Sequence, residues 1–122
     1  MKITIQNGSI HGLSRSEIEA MIPLFPQSWK RVVKQIVLYQ GNESILKAEF
    51  YPKKQLLGLF WPFPADAVKK SDGVEELLLS LAVAEERGEL PKRLSKALRE
   101  RHLAAVAEIR DHCLQVLSDN AV

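Results

Sequence analysis

Three short apolar runs, rich in β-branched and aromatic residues, constrain the fold of this chain more than any other feature. They lie at residues 33–39, 45–51 and 56–61. Gly41-Asn42 separates the first two runs, and Pro52-Lys53-Lys54 separates the last two. Runs of this length between turn-forming residues predict strands, and separators of hairpin length predict that the strands form an antiparallel β-meander.

The N-terminal third adds a strand and two short helical segments. Residues 2–6 alternate polar and β-branched side chains and stop at Asn7-Gly8, which predicts a short strand and a turn. Ser14 and Glu17 have the spacing of a capping box, in which each side chain accepts a hydrogen bond from a free backbone amide at the start of a helix. Phe25-Pro26 opens a second helical turn.

Two helices are predicted after the strands. The first covers about 74–87, where apolar side chains lie nearly all round the helix, and Gly88 supplies its C-terminal stop. The second begins near Pro91 and reaches about Leu117, and the last residues, 119–122, are expected to fray. The predicted fold class is therefore α+β: a small antiparallel β-meander packed with helices, and a long C-terminal helix.

Length and composition point to one ordinary globular domain spanning 1–122. The chain has 122 residues, of which 46% are apolar and 26% charged, and no linker divides it. A lone Cys113 forms no intrachain disulfide, which favours a reducing compartment. No apolar run approaches the ~20 residues that span a bilayer. We expect a cytoplasmic protein with no membrane partner.

The charge balance argues against nucleic-acid binding. Seventeen basic and 15 acidic side chains give a formal charge of +2, which is too even to indicate an electrostatic footprint. Lys92, Lys96 and Arg99 share one face of the last helix, but no aromatic residues interleave with them to stack on bases. The sequence therefore argues against a nucleic-acid partner.

The histidines do not predict a metal site. His11, His102 and His112 form no HxxxH pair, and the last two would lie about 15 Å apart on one helix. Motifs for a serine nucleophile, a dinucleotide and a phosphate loop are absent as well. We assign no catalytic, cofactor-binding or metal-binding residue and expect no cofactor.

His102 is the exception that keeps an enzymatic hypothesis open. It falls on the apolar stripe of the last helix, together with Ile109 and Cys113, so we expect it to be partly buried. A buried histidine is either a structural residue with both ring nitrogens satisfied or a poised acid or base. The second possibility predicts a pocket that holds His102 and a glutamate.

The order of elements resembles a known family. A capped helix, a Phe-Pro step, three strands and an apolar helix follow one another over about residues 14–90, and this order is similar to that of a minimal zincin-type metallopeptidase domain. The resemblance implies that the strand Ala48-Glu49-Phe50-Tyr51 runs along a cleft edge. It also implies that the next helix stands where the family carries HExxH, whose histidines bind zinc.

This chain lacks that motif. The resemblance places Leu79, Ser80 and Val83 where the family has its first histidine, its glutamate and its second histidine. No metal ligand is carried over. We therefore expect an inactive metallopeptidase homologue: a non-catalytic zincin-like domain, with a helical extension at about 91–118, that acts by protein binding or self-association through its apolar helices. The alternative is a small hydrolase with a site around His102 and a glutamate.

Overall fold

Four strands and four helices make up most of the computed structural model of this chain, which describes residues 1–119. The prediction that the chain end frays concerns residues that lie largely outside this range. In chain order the elements are β1 (Lys2–Ile5), α1 (Arg15–Met21), α2 (Gln27–Val32), β2 (Gln35–Gln40), β3 (Lys47–Tyr51), β4 (Leu56–Trp61), α3 (Lys70–Arg87) and α4 (Lys96–Asp119).

The strands form one mixed sheet in the order β1-β2-β4-β3. β2 is parallel to both β1 and β4, and only β3 runs antiparallel to its neighbour β4. The predicted antiparallel meander is wrong, because β4 lies between β2 and β3. β4 is the more apolar of the two, with Leu57, Leu59 and Trp61 fully buried. Burial therefore favours β4 in the centre, while Lys47 and Glu49 keep β3 at the edge.

α1 begins where the sequence predicts, whereas α3 and α4 begin at other residues. The capping box is confirmed, since the Glu17 amide donates to Ser14 Oγ and the Ser14 amide donates to Glu17 Oε1. α3 begins at Lys70, four residues before the predicted start. α4 begins at Lys96 rather than near Pro91, because the hydroxyl of Ser95 accepts the Leu98 amide at 3.2 Å.

Gly88 ends α3 as the sequence predicts. Its φ angle is +71°, in the left-handed region where glycine is favoured, and its amide donates to the Ala84 carbonyl at 2.8 Å. The predicted long C-terminal helix is confirmed by α4. No helix among residues 1–119 is long and apolar enough to cross a membrane.

The buried residues of the helices and the sheet belong to one core. On the sheet, alternate residues such as Ile36, Leu38 and Leu57 are fully buried and pack with apolar residues of α1 and α3. The residues between them point to the opposite side. Most of these are half-buried or exposed, and we call this side the open face. It consists of Lys2, Thr4, Gln35, Val37, Tyr39, Lys47, Glu49, Tyr51, Leu56, Gly58 and Phe60.

Trp61, the last residue of β4, joins the sheet to α3. Its indole is fully buried, and its Nε1 donates to the Ala65 carbonyl at 2.6 Å. A Cβ on Gly12 would overlap one side of the ring, and a Cβ on Gly73 of α3 would overlap its outer edge. The two glycines therefore leave the space that the indole occupies.

We expect the Gly73→Ala substitution to destabilise the fold. The added methyl group overlaps Trp61, and overpacking of this kind costs about 1–3 kcal/mol. This cost exceeds the gain of up to ~1 kcal/mol in helix propensity. Urea denaturation measures the difference in the free energy of unfolding. Ser71→Ala, an exposed change in the same helix turn, serves as the control, and equal stability of the two variants would contradict the packing argument.

Candidate functional site

His102 lies between α3 and α4 and is only 6% exposed, which confirms its predicted partial burial. Its Nδ1 lies 2.9 Å from the Leu98 carbonyl oxygen, one turn earlier in α4. Its Nε2 lies 2.7 Å from Glu86 Oε2, in the last turn of α3. The structure therefore brings together the histidine and a glutamate, as the hydrolase hypothesis requires.

The proton count limits what this pair can do. A carbonyl and a carboxylate both accept, so both contacts are hydrogen bonds only if His102 carries a proton on each nitrogen. Arg101 also donates to Glu86 Oε2, at 2.8 Å. The carboxylate is thus approached by the Arg101 guanidinium and by the His102 ring, and both ring nitrogens face oxygen atoms of the protein. This is the arrangement of a satisfied structural histidine.

A groove of about 420 Å³ runs beside this pair. Trp29 and Pro26 form one wall, and Ala105, Val106 and Ile109 of α4 form another. The described lining contains no serine, threonine, cysteine or tyrosine. It therefore offers no hydroxyl or thiol nucleophile to the His102–Glu86 pair.

Cys113 is also unsuited to nucleophilic chemistry. It is fully buried, and burial raises the pKa of its thiol to about 11. The thiolate is the reactive form, and it is disfavoured when a thiol is buried without a neighbouring cation. The predicted role of Cys113 as a small buried apolar residue is confirmed.

His11 has a structural environment next to Trp61. The two ring centroids lie 4.8 Å apart. A neutral ring satisfies both nitrogens, because Nδ1 accepts from the Leu13 amide at 3.2 Å while Nε2 donates to the Leu59 carbonyl at 3.2 Å. Burial lowers the pKa of His11 below its ordinary value of 6.5, although the backbone contacts partly oppose this effect.

A second groove, of about 150 Å³, lies along β3. Two loops supply the apolar residues at its rim. The loop before β3 provides Ile45 and Leu46, and the loop before α4 provides Leu90, Pro91 and Leu94. From α3, Glu76 and Ser80 reach this groove. We call it the edge groove.

Leu79 and Val83 do not line the edge groove. Both are fully buried within the chain. The resemblance placed these two residues at the metal-ligand positions, yet the pair that faces β3 with four-residue spacing is Glu76 and Ser80. The sequence missed this because the register of a helix that is apolar nearly all round is not visible from its pattern. Because Leu79 and Val83 are fully buried, the side of α3 that carries them is covered by other parts of the chain.

The edge groove contains a positively charged arginine, Arg99, next to the carboxylate that a metal ion would need as a ligand. Arg99 donates to Glu76 Oε2 at 2.8 Å, and the Ser80 hydroxyl donates to the Glu76 carbonyl at 2.7 Å. Within residues 1–119, no three His, Cys, Asp or Glu side chains are grouped so that they could hold a metal ion. The Arg99 guanidinium opposes a second cation at this position.

Aromatic residues lie together on the open face. Tyr39 and Phe60 stack with their centroids 4.7 Å apart and their planes at 13°. Their rings approach the position of a Cβ at Gly58, to 3.0 and 3.1 Å, so glycine leaves room for the stack. Tyr51, 40% exposed, donates to Glu49 Oε2 at 2.6 Å, and this bond raises the pKa of Tyr51 to about 12.

Sequence analysis did not identify this aromatic group. Each of its members lies in a different strand, and alternation within a strand shows only which residues share a side of that strand. The strand order brings the three together.

No family model matches this chain, and neither the curated proteins nor the solved structures contain a match.

We expect His11 to make the fold less stable below neutral pH. Its lowered pKa means that the unfolded chain takes up a proton near pH 6.5, whereas the folded chain does so only at lower pH. The free energy of unfolding should therefore fall as the pH drops below about 6.5. Urea denaturation at pH 7.5 and 5.5 measures this fall in the wild type and in His11→Gln. An equally steep fall in both proteins would rule out His11 as its cause.

Glu86 is expected to stabilise the fold mainly through His102. The Glu86→Ala substitution leaves a side chain that is 7% exposed without its charged partner, at a cost of about 1–3 kcal/mol. Arg101→Ala removes the 60% exposed partner of the same carboxylate and should cost under ~1 kcal/mol. Urea denaturation compares the two. Equal losses would contradict a structural role for the His102–Glu86 contact.

Proposed function

We propose that this chain is a non-catalytic, zincin-like protein-interaction domain that binds an extended segment of a partner protein along β3. The observation that carries this proposal is the position of β3 at the edge of the sheet, next to the edge groove. An edge strand offers unpaired amides and carbonyls to an added strand.

The backbone of β3 supports such pairing. β3 bonds to β4 on one side only, and no hydrogen bond from another backbone segment within residues 1–119 reaches Lys47 to Phe50. Open edges are commonly protected by charge or by a covering loop. Here Lys47 and Glu49 supply opposite charges 3.1 Å apart, so the edge carries little net charge to repel a partner.

The edge groove supplies the side-chain contacts. Ile45 is 60% exposed at its rim, and Leu90 and Pro91 lie across from it. A strand added to β3 would direct alternate side chains toward this side of the sheet. We therefore infer a partner segment that is extended and carries an apolar side chain for the groove. A second copy of the chain is the competing occupant.

The resemblance to zincins supports the same location. It implies that the strand Ala48-Glu49-Phe50-Tyr51 borders a cleft, and these residues fall in the edge strand β3. Leu79 and Val83, at the positions that the resemblance gives to histidine ligands, are fully buried, and the groove beside β3 carries a Glu76–Arg99 ion pair. A cleft that keeps its strand edge but lacks metal ligands favours binding over hydrolysis.

The hydrolase alternative rests on the His102–Glu86 contact beside the groove of about 420 Å³. It would need a nucleophile or an activated water near that pair. The described lining residues supply no hydroxyl or thiol, and Glu86 already receives bonds from His102 and Arg101. We therefore favour the binding proposal.

A peptide-display experiment tests the proposed edge site. Extended peptides selected against the intact protein are titrated into it, and backbone amide shifts and hydrogen exchange are recorded. We expect the largest changes at residues 45–51 and 88–94, with slowed exchange in β3. The Ile45→Asp substitution should weaken binding of the selected peptide at least tenfold.

Ile10→Asp provides a matched control, because Ile10 is 52% exposed and does not line the edge groove. Light scattering on the wild type and on Ile45→Asp separates the two occupants. A wild-type dimer that Ile45→Asp converts to a monomer would show that a second copy, and not a foreign segment, occupies the edge groove. Selected peptides that bind elsewhere, or equal effects of the two aspartates, would contradict the edge site.

A further inference from the structure

Six basic side chains gather at one end of the sheet, which we call the basic end. It is the end where β1, β2 and β4 begin and where the turn between β3 and β4 lies. Five of the six residues are exposed and Lys30 is half-buried. The six are Lys2, Lys30, Arg31, Lys34, Lys53 and Lys54.

Backbone hydrogen bonds hold these residues close together. The Lys2 amide donates to the Lys34 carbonyl at 2.9 Å, and the Lys34 amide donates to the Gln55 carbonyl at 2.8 Å. The Gln55 side chain in turn donates to the Arg31 carbonyl at 3.0 Å. The N-terminal strand, the end of α2 and the β3–β4 turn therefore meet at one place on the surface.

No acidic side chain neutralises this group. None of the six cations forms an ion pair within residues 1–119. By contrast, Arg99, Arg101 and Arg110 of α4 each pair with a glutamate of α3. Residues 20–42 and 50–65 contain no Asp or Glu at all. An uncompensated group of cations attracts polyanions.

The overall charge of +2 conceals this segregation. Residues 1–65 carry eight basic and four acidic side chains, whereas residues 66–122 carry nine basic and eleven acidic ones. The even balance that argues against a nucleic-acid partner is therefore an average over two parts of opposite sign. Aromatic residues, which no sequence pattern placed beside these cations, lie next to them on the open face.

The open face offers stacking surfaces that continue from the basic end. Tyr51, 40% exposed, pairs with Leu56 at this end, directly before the turn that carries Lys53 and Lys54. The stacked Tyr39 and Phe60 lie four residues further along the same face, about 13 Å away. The three rings lie outside the hydrophobic core cluster of residues 1–119, and Lys47 Nζ lies 5.9 Å from the Phe60 centroid. Unpaired bases stack on aromatic faces of this kind while cations hold the phosphates.

We propose that the basic end and the open face together bind single-stranded nucleic acid, with phosphates on the lysines and Arg31 and with bases on Tyr51 and the Tyr39–Phe60 stack. An anionic membrane is the competing polyanion. It would be favoured by apolar side chains that project among the cations. The exposed residues Ile5, Ile10, Ile45 and Phe63 instead lie toward the other end of the sheet.

Fluorescence anisotropy with labelled oligouridine and oligothymidine of about 20 nucleotides tests this site. We expect binding at ~50 mM salt that weakens steeply toward ~200 mM, because phosphate contacts release counterions. The double substitution Lys53→Glu/Lys54→Glu should weaken binding at least about tenfold. Lys69→Glu/Arg87→Glu makes the same charge change at two exposed residues of the α3 ends and should change it less than about twofold.

A second pair of variants tests the stacking contribution. Tyr51→Ala should weaken binding about fivefold or more, because stacking of one base on an aromatic ring contributes ~1–3 kcal/mol. Phe63→Ala, which removes a ring that is 61% exposed at the other end, should leave binding unchanged. Circular dichroism of every variant checks that the fold is retained.

Three results would overturn the proposal. Equal losses for the two charge-reversed pairs would show that only net charge matters. Equal affinity for a duplex of the same length would remove the role of the aromatic face. Stronger binding to vesicles that contain phosphatidylserine, lost on Lys53→Glu/Lys54→Glu, would assign the basic end to a membrane surface. None of these outcomes bears on the edge groove, where Ile45→Asp is the test.

Discussion

The indole of Trp61 is the packing contact on which the arrangement of the other elements depends. Trp61 is the last residue of β4, and its ring touches the imidazole of His11. It also packs so closely against Gly12 and Gly73 that a Cβ at either position would overlap it. Because one of these glycines belongs to α3, the contact fixes how closely that helix approaches β4. The position of α3 then sets which of its residues reach the edge groove and which are enclosed.

The burial of α3 shows that this apolar helix serves as part of the core rather than as a surface for a partner. Ten of its residues are buried, on the side of the sheet and on the side of α4. An apolar helix with two free sides would have suggested an interface, but here the chain covers both. The surfaces proposed to receive a partner are the edge of β3, the open face of the sheet and the basic end. These are backbone, aromatic and cationic surfaces rather than an aliphatic helix face.

The ionic contacts divide in the same way as the surfaces. Between α3 and α4, Glu75, Glu76 and Glu86 each meet an arginine, and Glu86 also meets the buried ring of His102. Acids and bases there satisfy one another and stabilise the helix pair. By contrast, the cations of the basic end form no ion pair with a carboxylate within residues 1–119. The charge left for an external partner is therefore concentrated where the sheet begins, and the proposed nucleic-acid site and the proposed edge site use different parts of the surface.

Local signals in the sequence were enough to determine the elements. The Ser14 capping box, the stop at Gly88, the three β-rich runs and the long last helix depend on residues within a few positions of one another. The α+β class, the burial of His102 and the inert setting of Cys113 follow from composition and periodicity along single elements.

Only the tertiary structure decided how the elements are partnered. β4 displaced β3 from the side of β2 because burial of its apolar residues outweighs the short connection that favours a meander. That exchange placed Tyr39 next to Phe60, made β3 an edge, and turned Glu76 and Ser80 rather than Leu79 and Val83 toward it. The basic end likewise joins residues from three separate segments. Such contacts depend on the sum of burial over the whole core, which no local pattern in the sequence contains.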